Sequence, residues 1–232
     1  MFARIALLAA LCFAGVSAAS AQVVTVGSGQ DHAMVLVRFK DGYRFAANVA
    51  FDGPKTGLDL MNVLDAQLTG FDTVQRNFGF GWFVDGISFN DGTTVHANTG
   101  YGGDADWWHY YVREAGSQWQ APAFGASTRA VLNGSWDGWV YGDDDIYPAI
   151  NAGDANVDGG VNDDDLSLLL SNWGANPGWS GGDFNADRAV NDDDLSLLLS
   201  NWDGGSTVIP EPATIAMLVL GAVGLVRRRV AK

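Results

Sequence analysis

The first part of the chain changes from a strand-like to a helical pattern of apolar and polar positions. Met34–Phe39 alternates well enough for a strand, and Asp41-Gly42 then offers a tight turn into a second strand, Tyr43–Phe51. After Thr56 the apolar residues follow helical spacing, at Leu58, Met61, Leu64 and Leu68. The pattern predicts a β-hairpin followed by one amphipathic helix.

A capping signal and a row of short apolar runs complete this region. Thr56, with Asp59 three residues later, predicts the start of the helix, and Gly70 predicts its end. Turn residues separate the β-like runs that follow, which are Gly81–Phe89, Thr93–His96, Trp107–Val112, Ala130–Leu132 and Trp139–Tyr141. One helix among several strands predicts an α+β domain over residues 22–148, with the helix on a mixed, mostly antiparallel sheet.

A second helical pattern occurs twice, later in the chain. The sequence NDDDLSLLLSNW stands at Asn162–Trp173 and again at Asn191–Trp202, 29 positions apart. Each copy has leucines at i, i+3 and i+4, namely Leu166, Leu169, Leu170 and Leu195, Leu198, Leu199. This spacing predicts two short helices, each with one buried face. The segments AINAG and WSGG, which precede the two units, predict no further helix there.

Oxygen-bearing side chains on alternate residues lead into both helices. In a twelve-residue calcium loop the ligands come from positions 1, 3, 5, 7 (a backbone carbonyl), 9 and 12. The first loop offers Asp154, Asn156, Asp158, Gly160, Asn162 and Asp165 at these positions. The second loop offers Asp183, Asn185, Asp187, Ala189, Asn191 and Asp194. The sequence therefore predicts two Ca²⁺ sites.

The two loops differ at position 6, which is Gly159 in the first and Arg188 in the second. This position requires a positive φ, and a non-glycine residue there costs about 1 kcal/mol. We therefore predict that the second site binds calcium more weakly. From Asp154 to Asp203, eleven aspartates accompany one basic residue. An acidic, solvated segment without metal is the alternative, but so dense a charge favours neutralisation by cations.

The amino terminus has the pattern of a secretory signal peptide. Arg4 provides the positive start, Ile5–Val16 is apolar, and small residues precede a cleavage point before Gln22. We predict that residues 1–21 direct export and are removed. The remaining chain contains no cysteine, so packing and bound metal rather than disulfides must stabilise it.

The carboxy terminus combines a proline–glutamate–proline triplet, an apolar run and a basic cluster. These are Pro210-Glu211-Pro212, Ala213–Val226 and Arg227–Arg229. The arrangement resembles the PEP-CTERM sorting signal, which implies processing by an exosortase at the membrane. A simple hydrophobic tail anchor is the alternative. Residues 204–232 are therefore expected to form a sorting or anchor segment with a hydrophobic transmembrane helix, leaving the protein membrane-associated, on the cell surface or extracellular.

The duplicated unit resembles a type I dockerin, a tandem of half EF-hands in which each calcium loop has only an exit helix. The matching stretches are GDANVDGGVNDDDLSLLLSNW and GDFNADRAVNDDDLSLLLSNW. The resemblance implies a small all-α module over residues 149–203 and a cohesin-like protein partner. At loop positions 10 and 11, where dockerins usually carry hydroxyl residues, this chain has aspartates, namely Asp163, Asp164, Asp192 and Asp193.

The amino-terminal domain resembles the domain at the carboxy end of transcobalamin-like proteins. The stretches that match are TGLDLMNVL, GWFVDGI, DWWHYYV and DGWVY, within Val35–Tyr141. The resemblance implies a β-grasp-like fold without defining a ligand. Its aromatic residues suggest a small-molecule or glycan ligand, since exposed rings can stack on sugars; the alternative is that Trp107 and Tyr110 serve packing.

No catalytic motif stands out in the sequence. HExxH, GxSxG, GxxxxGK[ST] and helix-opening GxGxxG patterns are all missing, and the isolated carboxylates Asp85, Asp104, Asp106 and Glu114 are expected to be surface residues. A net charge of −14 and a pI near 4.3 argue against nucleic-acid binding. We predict an exported, non-catalytic protein of the cell surface or extracellular matrix, assembled through its calcium module. The alternative is a component of a polysaccharide-degrading, cellulosome-like assembly, tethered through the same module.

Overall fold

The computed structural model describes residues 23–79, 81–100, 106–142 and 150–203. The predicted signal peptide, the sorting segment and its hydrophobic helix lie outside these residues. No helix within the described ranges is both long and apolar enough to cross a membrane. Mixed α+β content, with mostly sheet and three α-helices in the described ranges, agrees with the predicted class.

The strands of the described residues form three sheets. Their bounds are β1 Val24–Gly27, β2 Asp31–Arg38, β3 Arg44–Phe51, β4 Lys55–Thr56, β5 Phe71–Asn77, β6 Trp82–Asn90, β7 Val95–Thr99, β8 Trp107–Arg113, β9 Ala130–Val131 and β10 Ser135–Gly142. The largest sheet has the order β1-β3-β2-β10-β8, in which β1 runs parallel to β3 and β10 runs parallel to β2. The other pairs are antiparallel, including the meander β5-β6-β7 and the short pair β4-β9.

Helix α1, Gly57–Gln67, begins and ends where the sequence predicts. Thr56 and Asp59 form a reciprocal capping box, in which the Asp59 backbone nitrogen donates to Thr56 Oγ1 (3.2 Å) and the Thr56 nitrogen donates to Asp59 Oδ2 (2.8 Å). Gly70, at φ 87°, turns the chain into β5 after the helix ends. The helix buries Leu60, Met61 and Leu64 against the five-stranded sheet and β5.

Several elements differ from the sequence prediction. The strands β1, β4 and β5 were not predicted; β5 carries mostly polar, exposed residues, so it lacks a clear apolar signal. The sequence also predicted one sheet, whereas β5, β6 and β7 form a separate meander. A 3-10 helix, Trp179–Gly181, precedes the second loop where no helix was predicted.

Both faces of the five-stranded sheet are buried. On one face Val35 and Val37 of β2 belong to the core that contains α1. On the other face Met34 and Leu36 pack with residues of the 150–203 segment. This two-sided burial explains why β2 is an almost continuous apolar run.

The 150–203 segment contains two helices, α2 (Asp163–Ser171) and α3 (Asp192–Ser200). A residue beyond the end of each helix forms an equivalent hydrogen bond with the loop of the other half. The backbone nitrogen of Gly174, beyond α2, donates to the Val190 carbonyl of the second loop (2.8 Å). Asp203, at the equivalent place beyond α3, donates to the Val161 carbonyl of the first loop (3.2 Å). Each half therefore completes the loop of the other.

The contact between the halves depends on two glycines. A methyl group added at Gly153 would lie 2.8 Å from Leu198 Cα, and one added at Gly182 would lie 2.9 Å from Leu169 Cα. Leu169 and Leu198 are fully buried at this contact. Leu170 and Leu199, by contrast, are 54% and 55% exposed, so the prediction that they belong to the buried helix face is wrong. Leu169 and Leu198 are the fully buried leucines of the two helices, and the residue that follows each of them faces solvent.

Candidate metal centre

The first loop folds around two buried carboxylates. Asp165 accepts hydrogen bonds from the backbone nitrogens of Ala155 (2.8 Å), Asn156 (3.2 Å) and Asn162 (2.9 Å). Asp154 accepts from the nitrogens of Asp158 (3.1 Å) and Gly159 (3.0 Å). Backbone N–H groups of the loop therefore fix the carboxylates at positions 1 and 12.

The second loop repeats this arrangement at positions 29 residues later. Asp194 accepts from the nitrogens of Phe184 (2.8 Å), Asn185 (3.2 Å) and Asn191 (3.0 Å). Asp183 accepts from Arg188 nitrogen at 3.1 Å, as Asp154 does from Gly159. The two loops thus have the same backbone conformation despite their different sequences.

The predicted carboxylate ligands of the second loop lie close together. One oxygen each from Asp183, Asp187 and Asp194 falls within 4.8 Å of the other two. At position 3 the side chain is also near, because Asn185 Nδ2 donates to Asp187 Oδ2 (3.1 Å). In the first loop the equivalent Asn156–Asp158 bond is 2.9 Å. A cation would compete with these amide–carboxylate bonds for the same oxygens.

The side chains at position 9 cap the two helices, in addition to the ligand role that the loop pattern predicts. Asn162 and Asn191 are the N-caps of α2 and α3, and their Oδ1 atoms accept from Asp164 and Asp193 nitrogens, both at 2.8 Å. The amide nitrogen of Asn191 lies 3.3 Å from both Asp187 Oδ2 and the Ala189 carbonyl of position 7. Position 9 often contacts calcium through a water molecule, which fits an oxygen already engaged in capping.

Four of the carboxylates are buried without a basic partner. Asp154, Asp165, Asp183 and Asp194 are at most 3% exposed, and none forms an ion pair with a basic group in the described part of the chain. Burial raises the pKa of Asp154 to about 7 and that of Asp183 to about 6, and neighbouring carboxylates add to both shifts. Burial also raises the pKa values of Asp165 and Asp194. This donor set fits a hard divalent cation.

Aromatic packing connects the first loop to the sheet, and the sequence did not predict it. Trp179 Nε1 donates to the Asp154 carbonyl (2.8 Å), and its ring packs edge-on against Trp136 of β10 (4.9 Å between centroids). Arg113 lies over both indole rings, at 5.7 and 5.4 Å. Trp179 lies in the WSGG segment, which was interpreted only as a helix breaker; its large apolar ring was the signal for packing.

Arg188 connects the second loop to the sheet. As predicted for position 6, its φ is positive, at 73°. Its Nε and Nη2 atoms donate to Asp31 Oδ1 at the start of β2 (3.1 and 2.6 Å). The side chain therefore pairs with β2 of the five-stranded sheet. Nearby, Asn133 Nδ2 donates to the Ala186 carbonyl (2.8 Å).

Sequence comparison identifies the sorting signal. The PEP-CTERM protein-sorting motif matches residues 208–230, which include the Pro210-Glu211-Pro212 triplet. This motif marks an exported protein that is sorted to the cell surface or membrane and implies processing by an exosortase. The chain is thus an exported, surface-sorted protein.

Other comparisons give little similarity. No curated protein matches the chain. One solved structure with some likeness is a crystal structure from Ruminococcus gnavus of a protein provisionally described as metal-binding. Its TM-score is 0.33 at 18% sequence identity, over 49% of this chain and 97% of that one.

Proposed function

We propose that residues 149–203 form a dockerin-like module that binds two calcium ions and serves protein–protein assembly at the cell surface. The observation that carries this proposal is that each loop buries two carboxylates, which form no ion pair with a basic group among the described residues. In the second loop three carboxylates also lie close enough together to share one ion. Two Ca²⁺ ions would neutralise four negative charges and remove the repulsion within the loops. The sorting motif supports a surface location.

The ligands that would hold each ion are those that the loop pattern predicts. For the first ion they are Asp154, Asn156, Asp158, Asn162 and Asp165 with the Gly160 carbonyl. For the second they are Asp183, Asn185, Asp187, Asn191 and Asp194 with the Ala189 carbonyl. When bound, calcium supplies charge neutralisation and crosslinks each loop. The protein's part is to hold the two end carboxylates of each loop with backbone N–H donors.

A cohesin-like partner would meet the helices rather than the loops of the module. Trp179 and Arg188 already contact the amino-terminal domain, which covers that side. Leu170, Trp173 and Leu199 are about half exposed on the helices and their ends, and supply apolar contact area. We therefore expect a cohesin-like partner to bind to the exposed surface of α2 and α3.

A β-grasp-like amino-terminal domain is part of the same proposal. Its support is the order of elements: the hairpin β2–β3, then α1, and finally β10 inserted parallel to β2. We infer a binding or structural role for this domain rather than a catalytic one.

A non-catalytic role is supported by the partners of the available carboxylates. Asp85 pairs with Arg76 (2.7 Å), Glu114 pairs with Arg129 (2.8 Å), and Asp106 pairs with Lys40. These acids are therefore held by cations rather than facing each other as an acid–base pair. Release of reducing sugar from a glycan by the purified protein would instead favour the polysaccharide-degrading alternative.

Calorimetric titration of the intact chain with CaCl₂ tests the calcium proposal. We expect saturable binding of two equivalents, because the described segment contains two complete loops. Asp165→Ala and Asp194→Ala should each remove one equivalent, because each removes the carboxylate that crosslinks its loop. Asp72→Ala, an exposed acid on β5, is the control and should leave both equivalents. Absence of binding at millimolar calcium would overturn the proposal.

Replacing Arg188 by glycine should tighten the second site about fivefold, since a non-glycine at positive φ costs about 1 kcal/mol and calcium binding fixes that conformation. Arg188→Ala is the matched control, because it loses the cation and the Asp31 pair but keeps a Cβ at φ 73°. Titration of both variants measures the difference. Equal affinities for Arg188→Gly and Arg188→Ala would show that backbone strain does not weaken the site.

A further inference from the structure

A groove of about 630 Å³ lies on the amino-terminal domain, away from the calcium loops. One wall is β8, which is the edge strand of the five-stranded sheet. The others are the start of β6 and the segment 122–128. Ligand pockets commonly have volumes of about 300–1,000 Å³, so the groove is large enough for a ligand of several rings.

Aromatic side chains dominate this groove and remain accessible. Trp82 is 46% exposed, Phe83 40%, Trp107 36% and Phe124 49%, and all four line it. Exposed apolar side chains that lie together on one surface often mark a binding site for a ligand or a partner. Tyr110, which also lines the groove, instead packs against Trp139 (4.6 Å) and donates to Asp137 (2.6 Å), so it is a structural residue.

A buried donor in the same groove has no partner among the described residues. Trp139 is only 4% exposed and lines the groove, yet no acceptor in the described part of the chain bonds to its indole Nε1. Buried indole N–H groups usually find an acceptor, because leaving one unpaired is costly. Nε1 is also shielded from solvent in this structure, so a ligand oxygen would pair with it only after the side chains that cover it shift on binding.

The groove also lacks formal charge. Among the described residues that line it there is no aspartate, glutamate, lysine or arginine, although the chain as a whole carries a net charge of −14. The polar side chains that line it include those of Ser127, Thr128 and His109. A charged ligand would find no aspartate, glutamate, lysine or arginine to pair with among the described lining residues.

We propose that this groove binds a neutral glycan. Pyranose rings have apolar faces that stack on indole and phenyl rings, and hydroxyls that accept from a donor such as Trp139 Nε1. The open shape suits a chain that extends beyond the protein, and the absence of charge favours neutral over acidic sugars. This inference is independent of the calcium proposal, because no loop residue contributes to the groove.

Binding of cellohexaose, xylohexaose and mannohexaose to the intact, calcium-loaded chain, followed by tryptophan fluorescence and calorimetry, tests the proposal. At least one of these probes should bind saturably, and an oligogalacturonate of the same length should bind much more weakly. Trp82→Ala should weaken binding about tenfold or more, as loss of a central tryptophan contact does. Trp139→Phe should also weaken it, because it removes the N–H and keeps an aromatic ring.

Trp173→Ala is the matched control, since Trp173 is 47% exposed but lies on the calcium module. It should leave glycan affinity unchanged, and the melting curves of all variants identify any loss of folding. No saturable binding of the three neutral probes at millimolar concentration would overturn the proposal. An unchanged affinity in folded Trp82→Ala would also overturn it. Calcium stoichiometry is measured separately, so either proposal can fail without the other.

Discussion

Removal of calcium with EDTA is expected to lower the unfolding temperature of the intact chain by about 10–20 °C. At free calcium a hundredfold above the dissociation constant, each site adds about 2.7 kcal/mol to folding stability. In a protein of this size 1 kcal/mol corresponds to about 2–4 °C, and two sites act together. The dockerin-like module should unfold before the rest of the chain, because without metal it buries four carboxylates that repel one another.

Thermal unfolding followed by tryptophan emission measures this effect. Trp179 is a suitable reporter, because it bonds to the Asp154 carbonyl and packs against Trp136. The double variant Asp165→Ala/Asp194→Ala should unfold at the same temperature with calcium and with EDTA. If the unmodified chain also unfolds at one temperature in both, calcium does not stabilise it.

The calcium-induced shift should grow as pH rises from about 4 to 7. Without metal, burial raises the pKa of Asp154 from 3.8 to about 7 and that of Asp183 to about 6. A raised carboxyl pKa contributes stability that is fully present below the unfolded-state value and is lost as pH rises through the folded-state value. The metal-free chain therefore weakens over this range, whereas ionisation favours calcium binding.

Asp137→Ala should destabilise the protein by about 3–5 kcal/mol, the usual cost of breaking a buried ion pair. Asp137 is fully buried and accepts from Tyr110 Oη (2.6 Å) and Arg129 Nε (3.2 Å). Burial raises the pKa of this carboxyl, and the Arg129 charge opposes the shift. The alanine variant would leave Arg129, itself 3% exposed, with less compensation for its buried charge.

Urea denaturation in calcium-containing buffer measures this loss. Asp137→Asn should cost less than Asp137→Ala, because its amide oxygen can still accept from Tyr110. Asp72→Ala is the matched control at an exposed position and should change stability by at most about 0.5 kcal/mol. If Asp137→Ala lowers the free energy of unfolding by no more than about 0.5 kcal/mol, the buried Asp137–Arg129 pair contributes little to stability.

Local signals were sufficient to predict much of the fold. The Thr56 capping box, the helix that follows it and both helices of the duplicated unit depend on residues close together in sequence. The positive φ at Arg188 followed from its loop position in the same way. Calcium binding itself, and the dockerin-like role, remain predictions.

The packing of the duplicated unit on the sheet could not be predicted from local pattern. It depends on contacts between residues far apart in sequence, such as Trp136 with Trp179 and Asp31 with Arg188. The apolar run in β2 indicates two-sided burial but does not identify what covers the second face. Leu170 and Leu199 were wrongly assigned to a buried face, because leucine spacing alone does not show how far two short helices overlap.

The most direct test of the central claim is anomalous X-ray scattering from a crystal of the protein grown with calcium. The account predicts two anomalous peaks, one in each loop, with Asp154 and Asp165 around the first and Asp183 and Asp194 around the second. Metal–oxygen distances should be about 2.3–2.6 Å. A calcium-saturated crystal with no peak in either loop would contradict the account.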